Sequence, residues 1–541
     1  MESGDVRMTA FLKPPCDVGV IRAAPAASRA AEAKAAPWVL TAAILGSGMV
    51  FVDGSAVNVA LPALQRDLNA TIAEAQWIIE SYALFLAALL LAAGAAGDRF
   101  GRRSVFSLGT AIFALASIWC GFAGSAFELI VARGAQGIGG ALLVPNSLAI
   151  ISASFGESER GRAIGTWSGA TAITAAIGPV LGGWLIDEVS WRAVFFLNVP
   201  LAAAVLIITL THVPESRNDA EDGPPDWTGA ALATFGLGGL VYGLIEAPQR
   251  GWTSPDILAA LGLGLTALIA FFMFEQRARN PMLPLKLFRS RTFSGANILT
   301  FLLYAALGGG LFFLPLNLIQ VQGYSATAAG AALLPFILLI FLLSRWAGGL
   351  VTTYGQRLPL VVGPAIAGFG YLLLATPSVG GSYWLAVFPG ASVLGLGMAI
   401  SVAPLTTTVM NSVEKSHAGT ASGINNAASR VAALLAVALF GIVMTLVFNS
   451  QLDGALAEAD LPAAITDAVQ TQREKLAAIE LPGGIEPAAR DSARQAISAA
   501  FVSGFRWIMV ISALLCFASA VAAWLTIDGA RPASARRQGI S

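Results

Sequence analysis

Fourteen stretches of this chain are apolar for about 20 residues each, and no feature restricts its fold more. A helix rises about 1.5 Å per residue, so about 20 apolar residues cross a hydrocarbon core roughly 30 Å thick. The stretches lie near 38–61, 76–96, 104–123, 127–152, 163–186, 193–213, 228–247, 255–274, 292–316, 326–350, 358–377, 384–410, 419–447 and 504–526. Lipid offers no partner to backbone N–H and C=O groups, so each stretch must bond within itself as a helix. The expected fold is an all-α integral membrane protein of fourteen transmembrane helices. Composition agrees: 12% of residues are charged, against about 25% in soluble domains.

Charge is informative here through its distribution. The formal net charge is zero, which gives no ground for a nucleic-acid partner. If both termini face the cytoplasm, inside segments hold 21 of the 32 Lys and Arg residues. The short outside loops then hold only Arg66, Arg192 and Arg250. That bias predicts an even number of spans with both termini cytoplasmic, in the plasma (inner) membrane. Cys16, Cys120 and Cys516 are widely separated, and His212 and His417 fall in predicted loops. Neither a metal site, a cofactor nor an enzyme is expected.

The chain also repeats itself. Gly94, Gly101 and Arg103 recur as Gly348, Gly355 and Arg357, and Pro62 recurs as Pro315. Spans 1–6 therefore correspond to spans 9–14, with spans 7–8 inserted between them. The expected organisation is a cytoplasmic tail (1–37), a first six-helix bundle (38–213) and an acidic, Pro-rich linker (214–227). Two inserted helices with a second linker follow (228–291). A second six-helix bundle (292–526) carries an external loop (448–503), and the chain closes with a second cytoplasmic tail (527–541). The external loop has helical periodicity in 454–480 and 487–502, broken at Pro482-Gly483-Gly484.

Gly94-Ala95-Ala96-Gly97-Asp98-Arg99-Phe100-Gly101-Arg102-Arg103 lies between spans 2 and 3. It reads as a tight connection: glycines permit the turn, arginines hold it at the cytoplasmic face, and Asp98 can meet a basic partner or a helix N-terminus. This pattern resembles the loop between helices 2 and 3 of the major facilitator superfamily of secondary transporters. Fourteen spans with a central extra pair resembles its drug:proton antiporter branch. Span 1 carries Asp53-x-x-x-Val57-Asn58-Val59-Ala60-Leu61-Pro62, and span 4 carries Arg133-Gly134-x-Gln136-Gly137, both similar to motifs of that family. The resemblance implicates Arg133 in proton transfer. Gly165, Gly178-Pro179 and Gly182-Gly183 in span 5 resemble the motif of its exporters, with Thr174 where the family usually has Gly.

Ionisable groups inside spans are costly, roughly 2.5–3.5 kcal/mol each at the helix centre, and are functional candidates for that reason. Asp53, Glu80 and Arg133 are predicted at similar depth in the outer half of the first bundle. One cation between two carboxylates would make a proton-binding cluster. Asn58, Tyr82, Asn146 and Arg430 are candidates to line a substrate cavity. Together with the resemblance, these residues imply proton-coupled efflux of amphipathic or lipophilic, often cationic, small molecules by alternating access. A monomer in the bilayer, exchanging protons for substrate, is expected. Export of an endogenous metabolite, lipid or peptide, and a non-transporting sensor on the same fold, stay open as alternatives.

Overall fold

The computed structural model describes residues 26–155, 157–217, 225–278, 281–414, 418–458 and 461–528. Its elements are helical, and fourteen helices are long and apolar enough to cross a membrane. We number these α1 (Ala26–Asp67), α2 (Ile72–Phe100), α3 (Arg102–Phe122), α4 (Ala126–Ser154), α5 (Glu157–Glu188), α6 (Asn198–His212), α7 (Trp227–Arg250), α8 (Pro255–Glu275), α9 (Arg291–Leu316), α10 (Leu334–Tyr354), α11 (Arg357–Leu374), α12 (Phe388–Asn411), α13 (Ala418–Glu458) and α14 (Pro487–Thr526). Short helices lead into α6 (Trp191–Phe196) and α10 (Ala326–Ala332). Residues 26–37, expected as an unstructured tail, instead extend α1; residues 1–25 and 529–541 of the two tails lie outside the described residues.

Local chemistry sets the helix ends. Thr71 and Glu74 form a capping box at the start of α2, with Thr71 N donating to Glu74 Oε2 at 2.8 Å and Glu74 N to Thr71 Oγ1 at 3.2 Å. Two orphan N–H groups of the first turn are thereby satisfied. At its other end α2 runs on through Gly94, Asp98 and Arg99 to Phe100, further than expected. The connection to α3 is Gly101 alone, at φ +110°, a conformation that L side chains disfavour. Asp98 pairs with Arg102 one turn on (2.7 Å), Arg103 donates to Val213 O (3.2 Å), and Arg99 projects outward. In the second half the counterpart Gly355 ends α10 at φ +80°.

Glu215 holds this turn from the linker. Its carboxylate accepts from Arg103 N (3.0 Å), Ser104 N (3.1 Å), Ser104 Oγ (2.5 Å) and its neighbour Ser216 N (3.0 Å). Partial burial works against the charge, but the donors led by Ser104 outweigh it and hold the carboxyl below its ordinary range. A depressed folded value stabilises above the unfolded carboxylate value of about 4.3 and is lost as pH falls through the folded one. Glu215→Gln is therefore expected to speed amide exchange at Arg103 and Ser104 at neutral pH, the gap from wild type closing below about pH 4. Hydrogen exchange measured across that pH range checks it.

The repeat is visible in the packing. Contacts α2·α4, α3·α4, α1·α5, α1·α6 and α3·α6 recur as α10·α12, α11·α12, α9·α13, α9·α14 and α11·α14. The inserted pair α7–α8 crosses closely where a Cβ on Gly239 would lie 2.9 Å from Gly264 Cα, and α7 rests on α2 and α13, where the two halves meet. The expected external loop is shorter than 448–503, because α13 continues to Glu458 and α14 begins at Pro487. Between them, Ala463–Thr471 and Arg473–Ala478 fold as short helices; Leu476 is buried there at φ +54°, and Lys475 reaches Asn69 between α1 and α2 at 2.6 Å.

Along α5 and α10 the halves meet tightly at one end only. We call the end carrying Gly101, Gly355 and most Lys/Arg residues the basic end. At the opposite end Asp187 accepts from Ala326 N (3.1 Å), Thr327 N (2.8 Å) and Thr327 Oγ1 (2.6 Å), and Gln320 donates to Gln65 (2.8 Å). A Cβ on Gly183 would lie 2.4 Å from Ala326 O, and one on Gly330 2.1 Å from Pro179 O. Toward the basic end of α5 and α10, Gly165, Gly169, Gly348 and Gly349 have nothing within 4 Å of a Cβ position. The cleft between α5 and α10 is thus closed at the opposite end and parted at the basic end.

Candidate functional site

Asp53 sits mid-way along α1, and its carboxylate takes three side-chain donors from two other helices. Arg133 Nη1 of α4 reaches Oδ2 at 2.5 Å. Gln136 Nε2, one turn on in α4, reaches Oδ1 at 2.8 Å, and Asn198 Nδ2 of α6 reaches it at 3.1 Å. Ser117 Oγ of α3 accepts from both amides, at 3.0 and 3.3 Å. Arg133 further donates to Gln136 Oε1 (2.6 Å) and Ile78 O (3.1 Å), and its guanidinium lies 4.2 Å from the Tyr82 ring centroid. Asp53, Arg133, Gln136, Ser117 and Asn198 are each 0% exposed. Such burial is tolerable only because charge meets charge and the carboxylate is fully hydrogen-bonded. Arg133 Nη2 and Asn198 Oδ1 are exceptions, buried with no partner.

The sequence brought Asp53 and Arg133 to one depth, and the structure joins them. Neither side chain faces lipid, nor does solvent reach either in this state. Ser117 and Asn198 lie outside the residues the sequence points to, and Gln136 enters there only as part of the span 4 motif. Gln136 stands three residues after Arg133, on the same helical face, and Asn198 interrupts an apolar run before Pro200; both were legible as buried polar groups.

Glu80 departs from the expected cluster. It is 1% exposed, its Oε2 has no hydrogen-bond partner, and no ion pair joins it to Arg133. At about 100° per residue, Glu80 shares a face of α2 with Gln76, whose Nε2 donates to Val437 O of α13 at 2.7 Å. It therefore points at the second half, whereas Arg133 enters α2 from the other side.

Between the halves lies a cavity of about 340 Å³. Asn58 lines it, with Ser55 and Pro179 from the first half and Tyr304, Phe336 and Met398 from the second. Its lining carries no Asp, Glu, Lys or Arg. Asp53 is turned roughly 140–240° around α1 from Ser55, Asn58 and Val59, so the ion pair and the cavity occupy opposite faces of one helix.

Three other cavity candidates do not line it. Tyr82 is buried against Arg133, its hydroxyl donating to Val50 O at 3.3 Å. Asn146 clamps α4 to α2: its Nδ2 donates to Ala93 O (3.1 Å) and Leu142 O (2.7 Å), and Oδ1 would be 1.6 Å from a Cβ on Gly97. Arg430 is on the face of α13 that meets α2. Short polar side chains in apolar helices satisfy themselves on backbone carbonyls when helices pack closely, and periodicity alone could not separate that use from cavity lining.

In α5 the expected close approach holds at three glycines. A Cβ on Gly178 would lie 2.0 Å from Ser55 Oγ, and one on Gly182 2.6 Å from Ala56 Cβ, so α5 lies directly on α1. Gly183 meets the second half, while Gly165 faces open space and packs against nothing. Thr174, in place of the expected Gly, returns its hydroxyl to Thr171 O at 2.8 Å and touches Gly48.

Comparison with known proteins places this arrangement. Residues 43–437 match the family model described as Major Facilitator Superfamily. Multidrug resistance protein Stp of Mycobacterium tuberculosis is 34% identical over 497 residues, covering 90% of this chain and 91% of that protein. The tetracenomycin C resistance and export protein of Streptomyces glaucescens is 33% identical over 505 residues, covering 91% of each. Among solved structures, a bacterial homologue of the human lysosomal transporter Spinster shares the fold at a TM-score of 0.62 and 18% identity, over 91% of this chain and 96% of that one. With fourteen helices in two matching halves and a cavity between them, the chain belongs to the Major Facilitator Superfamily, as a multi-pass membrane protein.

Proposed function

We propose that this protein exports lipophilic small molecules from the cytoplasm across the plasma membrane in exchange for protons, as a monomer with both termini inside. The cavity carries the reading: it lies where the halves meet, is lined by apolar and aromatic side chains, and offers few polar atoms. Asn58 Nδ2 is engaged with Gly54 O (3.2 Å) and Ser55 Oγ with backbone carbonyls, leaving Asn58 Oδ1 and the Tyr304 hydroxyl to meet a solute. Relatives of similar length bear names of drug resistance and export, which supports efflux over uptake. The Lys/Arg-rich loops, set in the cytoplasm by the positive-inside rule, put the parted end of the α5–α10 cleft where an exporter loads.

Proton coupling falls to Asp53 and Arg133. Their pair is dry in this state, so the proton reaches Asp53 only when the first bundle opens around α1. Protonation would remove one charge from a pair that must stay neutral overall to stay buried, giving the bundle two arrangements of differing proton affinity. One charge entering through 100 mV supplies about 2.3 kcal/mol before any pH gradient.

Inverted vesicles containing the purified protein test this. Lipophilic compounds should collapse an imposed pH gradient in a saturable way, with accumulation of the same compound. Proton movement indifferent to every compound in a chemically broad panel would leave a non-transporting role on this fold.

A further inference from the structure

Two ionisable side chains in the membrane interior, Glu80 and Arg430, are left over by the site above, one from each half. Gln76 Nε2 bonds Val437 O, and a Cβ on Gly423 would lie 3.0 Å from Leu91 Cδ2, so α2 and α13 run antiparallel in contact between these points. On α2, Glu80 falls within about 60° of both Gln76 and Leu91. On α13, Arg430 falls within about 20° of both Gly423 and Val437. Each therefore lies in the stripe that meets the other helix.

Their heights differ little. Glu80 is about 6 Å from Gln76 along α2, and Arg430 about 10.5 Å from Val437 along α13; with the Leu91–Gly423 contact as a second reference, the stagger is about 4–6 Å. Side chains lean toward the N-terminus of their own helix. Glu80 thus leans to the opposite end and Arg430 to the basic end, which keeps them apart: among the described residues no ion pair joins them, and Glu80 Oε2 has no partner.

We propose that Glu80 and Arg430 form an ion pair in the alternative state of the transport cycle, and that loss of a proton from Glu80 drives that exchange. An isolated buried carboxylate is far more costly than a buried neutral acid, so in the present state the proton stays on Glu80. When the halves rock, a relative slide of α2 and α13 by about one 5.4 Å turn, with both long side chains swinging toward each other, brings the two heads together. The proton passes to water, and the carboxylate is held by Arg430. Other titratable groups around α2 are otherwise engaged: Asp53 and Arg133 with each other, Tyr82 with Val50 O (3.3 Å), Glu246 of α7 with Trp77 and Arg250 (3.1 and 3.0 Å), and Tyr242 of α7 tilted against Trp77. The switch is separate from the Asp53–Arg133 pair and rests on the alternating-access reading, not on any particular substrate.

Spin labels on Thr166→Cys and Ser344→Cys, exposed on α5 and α10 toward the basic end, measure its opening. In a Cys16→Ser background the two remaining native cysteines are buried. In liposomes without substrate, raising the pH should move wild type from long to short distances. Glu80→Gln and Arg430→Gln should each abolish that shift, while Arg430→Lys, which keeps a cation, should retain it. In a double-mutant cycle, Glu80→Gln should add nothing once Arg430 is Gln. A full pH shift in Arg430→Gln, or effects of the two variants that simply add, would overturn the pairing. Vesicle transport is read separately, so a pH shift that needs both residues in a protein that exports nothing would keep the switch and remove the efflux reading.

Discussion

Asp53→Asn is expected to abolish proton-driven export while the protein still inserts. The asparagine can keep Oδ1 as acceptor for Gln136 and Asn198, but it presents an amide donor to Arg133 Nη1, which now points at Oδ2 from 2.5 Å. Two donors face each other, and a guanidinium with one nitrogen already unpartnered loses its one counter-charge among the described residues. Breaking one side of a buried pair costs about 3–5 kcal/mol, so Arg133→Met should lower stability by that order, and Asp53→Asn by somewhat less. Thermal unfolding in detergent measures it. The informative variant combines Asp53→Leu with Arg133→Met. Replacing a buried pair by apolar groups of similar volume is often neutral or stabilising, so stability should return while proton-driven transport does not. Transport recovering along with stability would make the pair a structural tie and move coupling elsewhere.

Gly330→Val should hold the opposite end apart. The glycine Cα lies against the backbone of Pro179, where an added Cβ would come within 2.1 Å of its carbonyl oxygen, and Gly183 makes the reciprocal approach to Ala326. Backbone cannot rotate away as a side chain can, so two branched methyl groups must part the helices. The ties beside the contact, Asp187 to the first turn at Ala326 and Gln320 to Gln65, would lengthen with it. A shift of about tenfold in the open-to-closed ratio needs only about 1.4 kcal/mol, within the roughly 1–3 kcal/mol that overpacking typically costs in a well-packed core. Labels on Gly124→Cys and Ser382→Cys, exposed at that end on the two halves, should report longer distances in Gly330→Val, and export should fall in parallel. Unchanged distances would mean that the halves close without this contact. Gly165→Val, at a glycine of the same sequence motif as Gly183 but with nothing within 4 Å, should change neither.

Those two glycines show how far the chain could be read unaided. Both stand in one motif, and only the neighbouring helix decides that Gly183 is indispensable and Gly165 is not. Charged residues divide in the same way. The cost of placing Asp53, Glu80 and Arg133 in lipid was evident from residue type and position, and so was the shared depth of Asp53 and Arg133. Which carboxylate Arg133 would choose was not, because that depends on the rotation of α1 and α2 about their axes. Asn146 and Tyr82 looked like cavity residues for want of the same information.

The residues taken in order determined that the chain spans lipid fourteen times, that its halves repeat around an inserted pair, and which buried charges demand an explanation. Each follows from hydrophobic length, spacing and the cost of charge in hydrocarbon, and none needs a neighbour. Tertiary structure alone decided that Asp53 faces away from the cavity, that Glu80 turns toward the second half and not to Arg133, and which end of the α5–α10 cleft is closed. A helix face acquires its meaning only from what packs against it, and nearly uniform apolar surfaces leave that rotation unwritten in the sequence.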